Sequence, residues 1–174
     1  LADERHYEAT DATDALAAQA HALHGRILLY LGQAADCMKH LLAAKKRVPP
    51  EQEDLRCHVW IDLARAEALA HRYATAMRTL REIEKAHPVR HFPRARLRFH
   101  LYRGQLRLLL GDPDANQDLR LALDEAERLA LPVYGARAAV LLGERDFWRG
   151  NDDAARGRFE QAMALADKAS DKLG

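Results

Sequence analysis

Residues 60–88 read WIDLARAEALAHRYATAMRTLREIEKAHP, and the fold is decided in this stretch. Apolar residues recur at helical spacing as far as Ala70, the pattern breaks at His71, and a second helical run follows towards Pro88. Ala64 stands seven residues before the break, a small residue that lets a second helix approach the first closely. After the break, Ala76, Leu80 and Ile83 follow at four- then three-residue spacing, which places them on one helix face. The stretch therefore reads as two helices joined by a tight turn.

The same order recurs on both sides. Gly32, His71, Gly111 and Gly150 stand 39, 40 and 39 residues apart, and Gly25, Ala64, Gly104 and Gly143 each lie seven residues upstream of one of them. Downstream come Cys37, Leu41 and Ala44; Ala76, Leu80 and Ile83; Ala115, Leu119 and Ala122; and Ala155, Phe159 and Ala162. The third set begins one residue early, which predicts a shorter turn there. A glycine at the turn can take the left-handed conformation that ends a helix at little steric cost. Boundary residues agree: Asp112–Pro113 reads as a cap followed by a first-turn proline, and Asn151 with Asp152 and Asp153 as a cap with acids facing the helix dipole. Pro93 and Pro132 open helices, while Pro49, Pro50 and Pro88 lie between repeats. Eight helices are predicted, over about 12–31, 33–47, 52–70, 72–87, 93–110, 112–130, 132–149 and 151–170. Residues 1–17 form an extension or the start of the first helix, with 1–11 expected to be loose or to belong to a preceding unit. The repeats are expected over about 18–56, 57–96, 97–135 and 136–174, forming one domain over 1–174.

Composition points the same way. Of 174 residues, Ala and Leu supply 33 and 27, whereas Val, Ile and Thr together supply 12. So few β-branched residues all but exclude a β or α/β fold, and the expected class is all-α. The chain carries 27 basic and 26 acidic residues, so no global field favours nucleic acid or an anionic membrane. Cys37 and Cys57 are too few for a disulfide scaffold, and a reduced cytoplasmic setting is the simpler expectation. No apolar run reaches the roughly 20 residues that span a bilayer, and no basic-then-apolar leader opens the chain. Because it begins at Leu1, it is expected to be a piece of a longer polypeptide.

The repeat resembles the tetratricopeptide family. Trp60, Leu63, Ala64, Tyr73, Ala76, Leu80 and Pro88 fall on that family's Trp, Leu, Gly, Tyr, Ala, Phe and Pro positions. The resemblance covers roughly residues 18–170. It departs in period, 39 to 40 here against the family's usual 34, and the third unit lacks the aromatic after the turn. Long units of this kind look like the arrays of bacterial signal-transduction ATPases, LuxR-type activators and some diguanylate cyclases. The resemblance implies a right-handed α-α superhelix that binds proteins or peptides and performs no catalysis.

In such a superhelix the first helix of each unit lines the concave face. The register places Gln19, His58, Arg98 and Arg137 at one inward position, Arg26, Arg65, Gln105 and Glu144 at another, and Ala22, Ile61, Leu101 and Val140 between them. The expected groove has an apolar floor with Arg26, Arg65, Arg98, Arg137 and His58 pointing in. Guanidinium forks bind carboxylates bidentately, so an acidic peptide or partner helix would fit. The competing reading has these arginines solvated or paired with Glu67 and Glu144. Phe147 and Trp148 either cap the terminal core or supply an exposed anchor, since Trp is enriched at interface hot spots; Trp60 is expected in the core.

From Lys85 to Gly111 there are seven basic residues and no acid. Arg96, His100, Arg103 and Arg107 form a stripe along one helix, and the next helix carries Asp112, Asp114, Asp118, Asp124, Glu125 and Glu127. The favoured reading is exposed salt bridges between the two helices, each contributing at most about 1 kcal/mol. Nucleic acid is disfavoured, because the total charge is near zero. His21, His24, Cys37 and His40 have spacings compatible with zinc, but Cys37 occupies a core position of the repeat, so no metal site is expected. Ser170 is the lone serine and no phosphate loop appears, so neither an enzyme nor a cofactor is expected. The partner-binding candidates are Arg26, His58, Arg65, Arg98, Leu101, Gln105, Arg137 and Trp148. The expected function is a protein-interaction or sensory module of a bacterial regulator; the alternative is a structural array whose open ends stack into a homodimer.

Overall fold

The computed structural model describes residues 2–86 and 89–170, with side chains from Thr13 onward. Among these residues there is no strand. The helices are α1 (Ala2–Tyr30), α2 (Ala34–Arg47), α3 (Glu53–Leu69), α4 (Tyr73–Ala86), α5 (Pro93–Leu109), α6 (Ala115–Arg128), α7 (Pro132–Trp148) and α8 (Asp152–Ser170), with a single 3-10 turn at Val89–His91. Two bounds depart from expectation. Residues 2–11 continue α1 rather than lying loose, because neither Gly nor Pro interrupts the run before Gly25. α6 begins at Ala115, not Asp112. The Asp112 carboxylate accepts the Asp114 N–H at 2.9 Å and holds a separate turn, so the third connection is the longest of the four within helix pairs rather than the shortest.

The four predicted turn residues all take left-handed backbone, with φ of 75° at Gly32, 58° at His71, 71° at Gly111 and 73° at Gly150. Each ends its helix the same way. The turn residue donates to the carbonyl three back, as Gly150 does to Phe147 at 2.9 Å, and the next residue donates to the carbonyl five back, as Asn151 does to Asp146 at 2.9 Å. Ala130 closes α6 identically, donating to Glu127 while Leu131 donates to Ala126, at φ 51°. A methyl-bearing residue in that region is strained by roughly 1–2 kcal/mol. Ala130→Gly should therefore raise the unfolding free energy by about 0.5–1 kcal/mol after allowance for the looser unfolded chain, read as a higher urea midpoint at unchanged slope.

The helices pack as two compact units divided between Ala95 and Arg96. In the first, Leu28, Leu29, Cys37, Leu41, Leu63 and Ala66 make one core cluster. Ala18, Ala22, Ala44, Val48 and Val59 make another, against which Trp60 packs half-buried with the Lys45 ammonium 4.5 Å from its ring centre. Helix pairs close where the small residues predict. A β-carbon on Gly25 would lie 2.8 Å from Leu41, one on Gly104 2.8 Å from Leu119, and one on Gly143 2.7 Å from Phe159. Leu97, Leu101, Leu119, Ala122 and Leu142 fill the second unit.

Candidate functional site

In the first unit the buried Asp62 carboxylate decides the placement of the arginines. It sits on α3 without solvent exposure and accepts Arg26 Nε at 3.0 Å and Arg65 Nη1 at 3.0 Å. Arg65 also lies over the Tyr30 ring, 5.7 Å from its centre. A carboxylate withdrawn from water is stabilised only if its oxygens are satisfied, and the two guanidiniums do this. Arg26 and Arg65 are thus brought together as expected, but on an acid of their own chain and not as a vacant pair. The expected glutamates are elsewhere: Glu67 accepts Thr79 Oγ1 at 2.8 Å and Glu144 is exposed. Burial pushes the Glu67 carboxyl up, and the Thr79 hydroxyl opposes it. His58 faces Asp54 one turn back, Nε2 to Oδ1 3.5 Å. Asp62 was detectable as an acid three residues before Arg65 on an otherwise apolar stretch; its partnership with Arg26 was not.

The second unit holds the other candidates. Leu101 is wholly buried and contributes to the core, not to a groove floor. Arg98 is 5% exposed, its guanidinium 5.9 Å from the centre of the Tyr102 ring, so its cationic head is also withdrawn from the surface. Arg137 is different. It is exposed, yet its Nη2 donates to Gln105 Oε1 at 3.1 Å and its guanidinium lies 5.2 Å from the centre of the same Tyr102 ring. Tyr102, absent from the expected set, is the plate against which both arginines rest. Trp148 is 80% exposed and Phe147 meets it edge-on at 5.6 Å, so the pair does not cap a core. It stands eleven residues beyond Arg137 on α7, roughly 16 Å along the axis.

The basic stripe makes exposed pairs in part, Arg107 meeting Asp112 at 3.4 Å and Asp114 at 3.8 Å, but its contacts with α6 run to buried acceptors. Asp118 is 1% exposed and accepts His100 Nδ1 at 2.9 Å, Arg103 Nε and Nη2 at 2.9 and 2.7 Å, and Arg107 Nη1 at 2.7 Å. Burial pulls its carboxyl up, but the hydrogen bonds of His100 and Arg103 and the charges of Arg103 and Arg107 outweigh this and hold it below the usual range. Glu125 accepts Arg128 and, through both oxygens at 2.9 Å, Arg96; these bonds hold it below its ordinary value against the pull of burial. These are structural networks with buried acceptors, and the limit of about 1 kcal/mol for exposed pairs does not apply to them.

The histidine cluster forms only in part. His21 and His40 bring their Nδ1 atoms to 3.0 Å, and the His24 ring packs on His40 with centres 3.9 Å apart. Partial burial, then the His24 and His21 rings, hold His40 below its usual value. Cys37 is buried in the apolar cluster with Leu28 and Leu41, its thiol pushed up to about 11 by burial, so the four residues do not converge. Among the described residues, no group of three or more His, Cys, Asp or Glu is arranged to hold a metal ion. α6, α7 and α8 also enclose a cleft of about 550 Å³, walled by Leu123, Ala126, Leu131, Gly135 and Leu165, that could receive an apolar group.

No protein-family model matches the sequence, and no curated protein matches it. Among the described residues, no helix is long and apolar enough to cross a membrane.

Proposed function

We propose that this chain is a protein-interaction module of a regulatory protein, a tetratricopeptide-like superhelix acting in the bacterial cytoplasm, that captures an acidic segment through Arg137. The observation that carries this reading is the state of Arg137: solvent-facing, yet held by Gln105 and the Tyr102 ring. One of its five N–H donors serves Gln105, and the others can meet a carboxylate in a bidentate fork. Holding the guanidinium in advance removes part of the ordering entropy that binding would otherwise incur. Trp148 is a second, apolar contact point on the same helix. Arg26, Arg65 and Arg98 support the frame in this reading, since their guanidiniums face Asp62 or are buried.

The test uses fluorescence anisotropy with a labelled library of Asp/Glu-rich peptides and Lys-rich controls. Arg137→Glu should weaken binding of the acidic peptides tenfold or more, about 1.4 kcal/mol, with far-UV circular dichroism unchanged. Arg65→Glu should instead lower the urea midpoint, because it sets a second carboxylate against Asp62. Equal affinity of wild type and Arg137→Glu would remove the reading.

A further inference from the structure

One face of α1 carries a strip of exposed apolar residues. Leu16, Leu23, Ile27 and Tyr30 are between 58% and 69% exposed, and Ala20 is exposed between them. Their spacing of four, three, four and three residues is the alternation of a two-helix seam. The opposite face of the same helix is already used, burying Ala18, Ala22, Leu28 and Leu29. Between Thr13 and Leu31 the helix carries only two charged residues, Asp14 and Arg26, and Arg26 is engaged by Asp62. Depletion of charge around an apolar strip is what distinguishes the centre of an interface from ordinary surface.

We propose that this face pairs with the same face of a second copy of the chain, the two α1 helices running antiparallel. The size is adequate. The strip with Leu31 presents on the order of 500 Å² of apolar surface, in the upper half of the range for the largest patch on a monomer, which is often functional. Two copies would bury on the order of 1,000 Å², the least that a biological interface should clear. Direction follows from side-chain volume. Antiparallel pairing centred between Ala20 and Leu23 sets Ala20 against the partner's Leu23, and Leu16 against the partner's Ile27. Parallel pairing would set small Ala20 against the partner's Ala20, leaving a void beside bulkier layers, and packed interfaces do not tolerate such gaps. The proposal does not rest on the peptide reading.

Light scattering on the purified chain at about 100 μM, above the concentration needed to populate a micromolar dimer, should give twice the 19.6 kDa chain mass. Leu23→Glu and Ile27→Glu should each return the mass to 19.6 kDa without loss of helicity, since both side chains are exposed. Orientation is read by oxidation of Ala20→Cys mixed with Leu23→Cys: the mixture should form a disulfide-linked dimer and Ala20→Cys alone should not. Cys37 and Cys57 stay silent, being buried with thiols raised to about 11. A wild-type monomer, or a dimer indifferent to both glutamates, overturns the proposal. A cross-link in Ala20→Cys alone overturns the antiparallel arrangement.

Discussion

Asp118→Ala is expected to lower the unfolding free energy by about 3–5 kcal/mol. The carboxylate is 1% exposed and faces the His100 imidazole and the Arg103 and Arg107 guanidiniums, all at 2.7–2.9 Å. Removing it leaves two partly buried guanidiniums facing each other with no anion between them. Domains of this size are stable by roughly 5–15 kcal/mol, so the variant should unfold near ambient temperature or at low urea. Asp118→Asn keeps the shape and loses the charge, and it should fall between the two. The pH dependence has a definite sign. The folded carboxyl lies below its unfolded value of about 3.9, so its contribution is complete above that pH and is lost as pH falls through the folded value. The gap between wild type and Asp118→Ala in urea unfolding should therefore close in acid. A gap that does not change between neutral and acid pH would contradict the charge network.

The second large effect lies one residue further along α6. Leu119→Ala should destabilise by about 2–5 kcal/mol, because the side chain is fully buried and the surrounding helices cannot close completely over the space it leaves. Gly104→Ala acts from the other side. Its β-carbon would stand 2.8 Å from two carbons of Leu119 and 3.2 Å from Asp118 Cβ. That overpacking costs about 1–3 kcal/mol, against roughly 1 kcal/mol of helix propensity gained. The double variant should be more stable than the sum of the two losses, because the added methyl occupies the space the leucine vacates. A coupling of about 0.5–3 kcal/mol is expected for residues in direct contact. Strict additivity in a double-mutant cycle would mean that Gly104 and Leu119 do not share the crossing point.

Those two residues also show why much of the fold was legible. Gly104 and Leu119 belong to a spacing that recurs at Gly25 and Leu41 and at Gly143 and Phe159, and in each pair the structure brings the small and the large residue into contact. The turns were equally legible at Gly32, Gly111 and Gly150, where a residue without a β-carbon marks left-handed backbone, and His71 was found only through the spacing. Local chemistry misled at Asp112, whose carboxylate caps a turn and not the helix that follows. The candidate site was legible by residue type but not by state. Arginine at 26, 65, 98 and 137 was visible, while nothing along the chain distinguished the two that meet Asp62 or the one that is buried from the one that reaches solvent.

Helix content and the places where the chain reverses were determined by the sequence alone. Both are set by neighbours within a few residues: Ala and Leu favour helical backbone, and glycine tolerates positive φ. The fate of each charge was decided only by tertiary structure. Asp62 and Asp118 bind guanidiniums on helices 36 and 15 residues away, as in Arg26–Asp62 and Arg103–Asp118. That pairing depends on how each helix is rotated about its own axis, and the cost of burying a carboxylate is offset only when the rotations agree. The same rotations left Arg137 and the apolar face of α1 in water, and those two surfaces are where partners are expected.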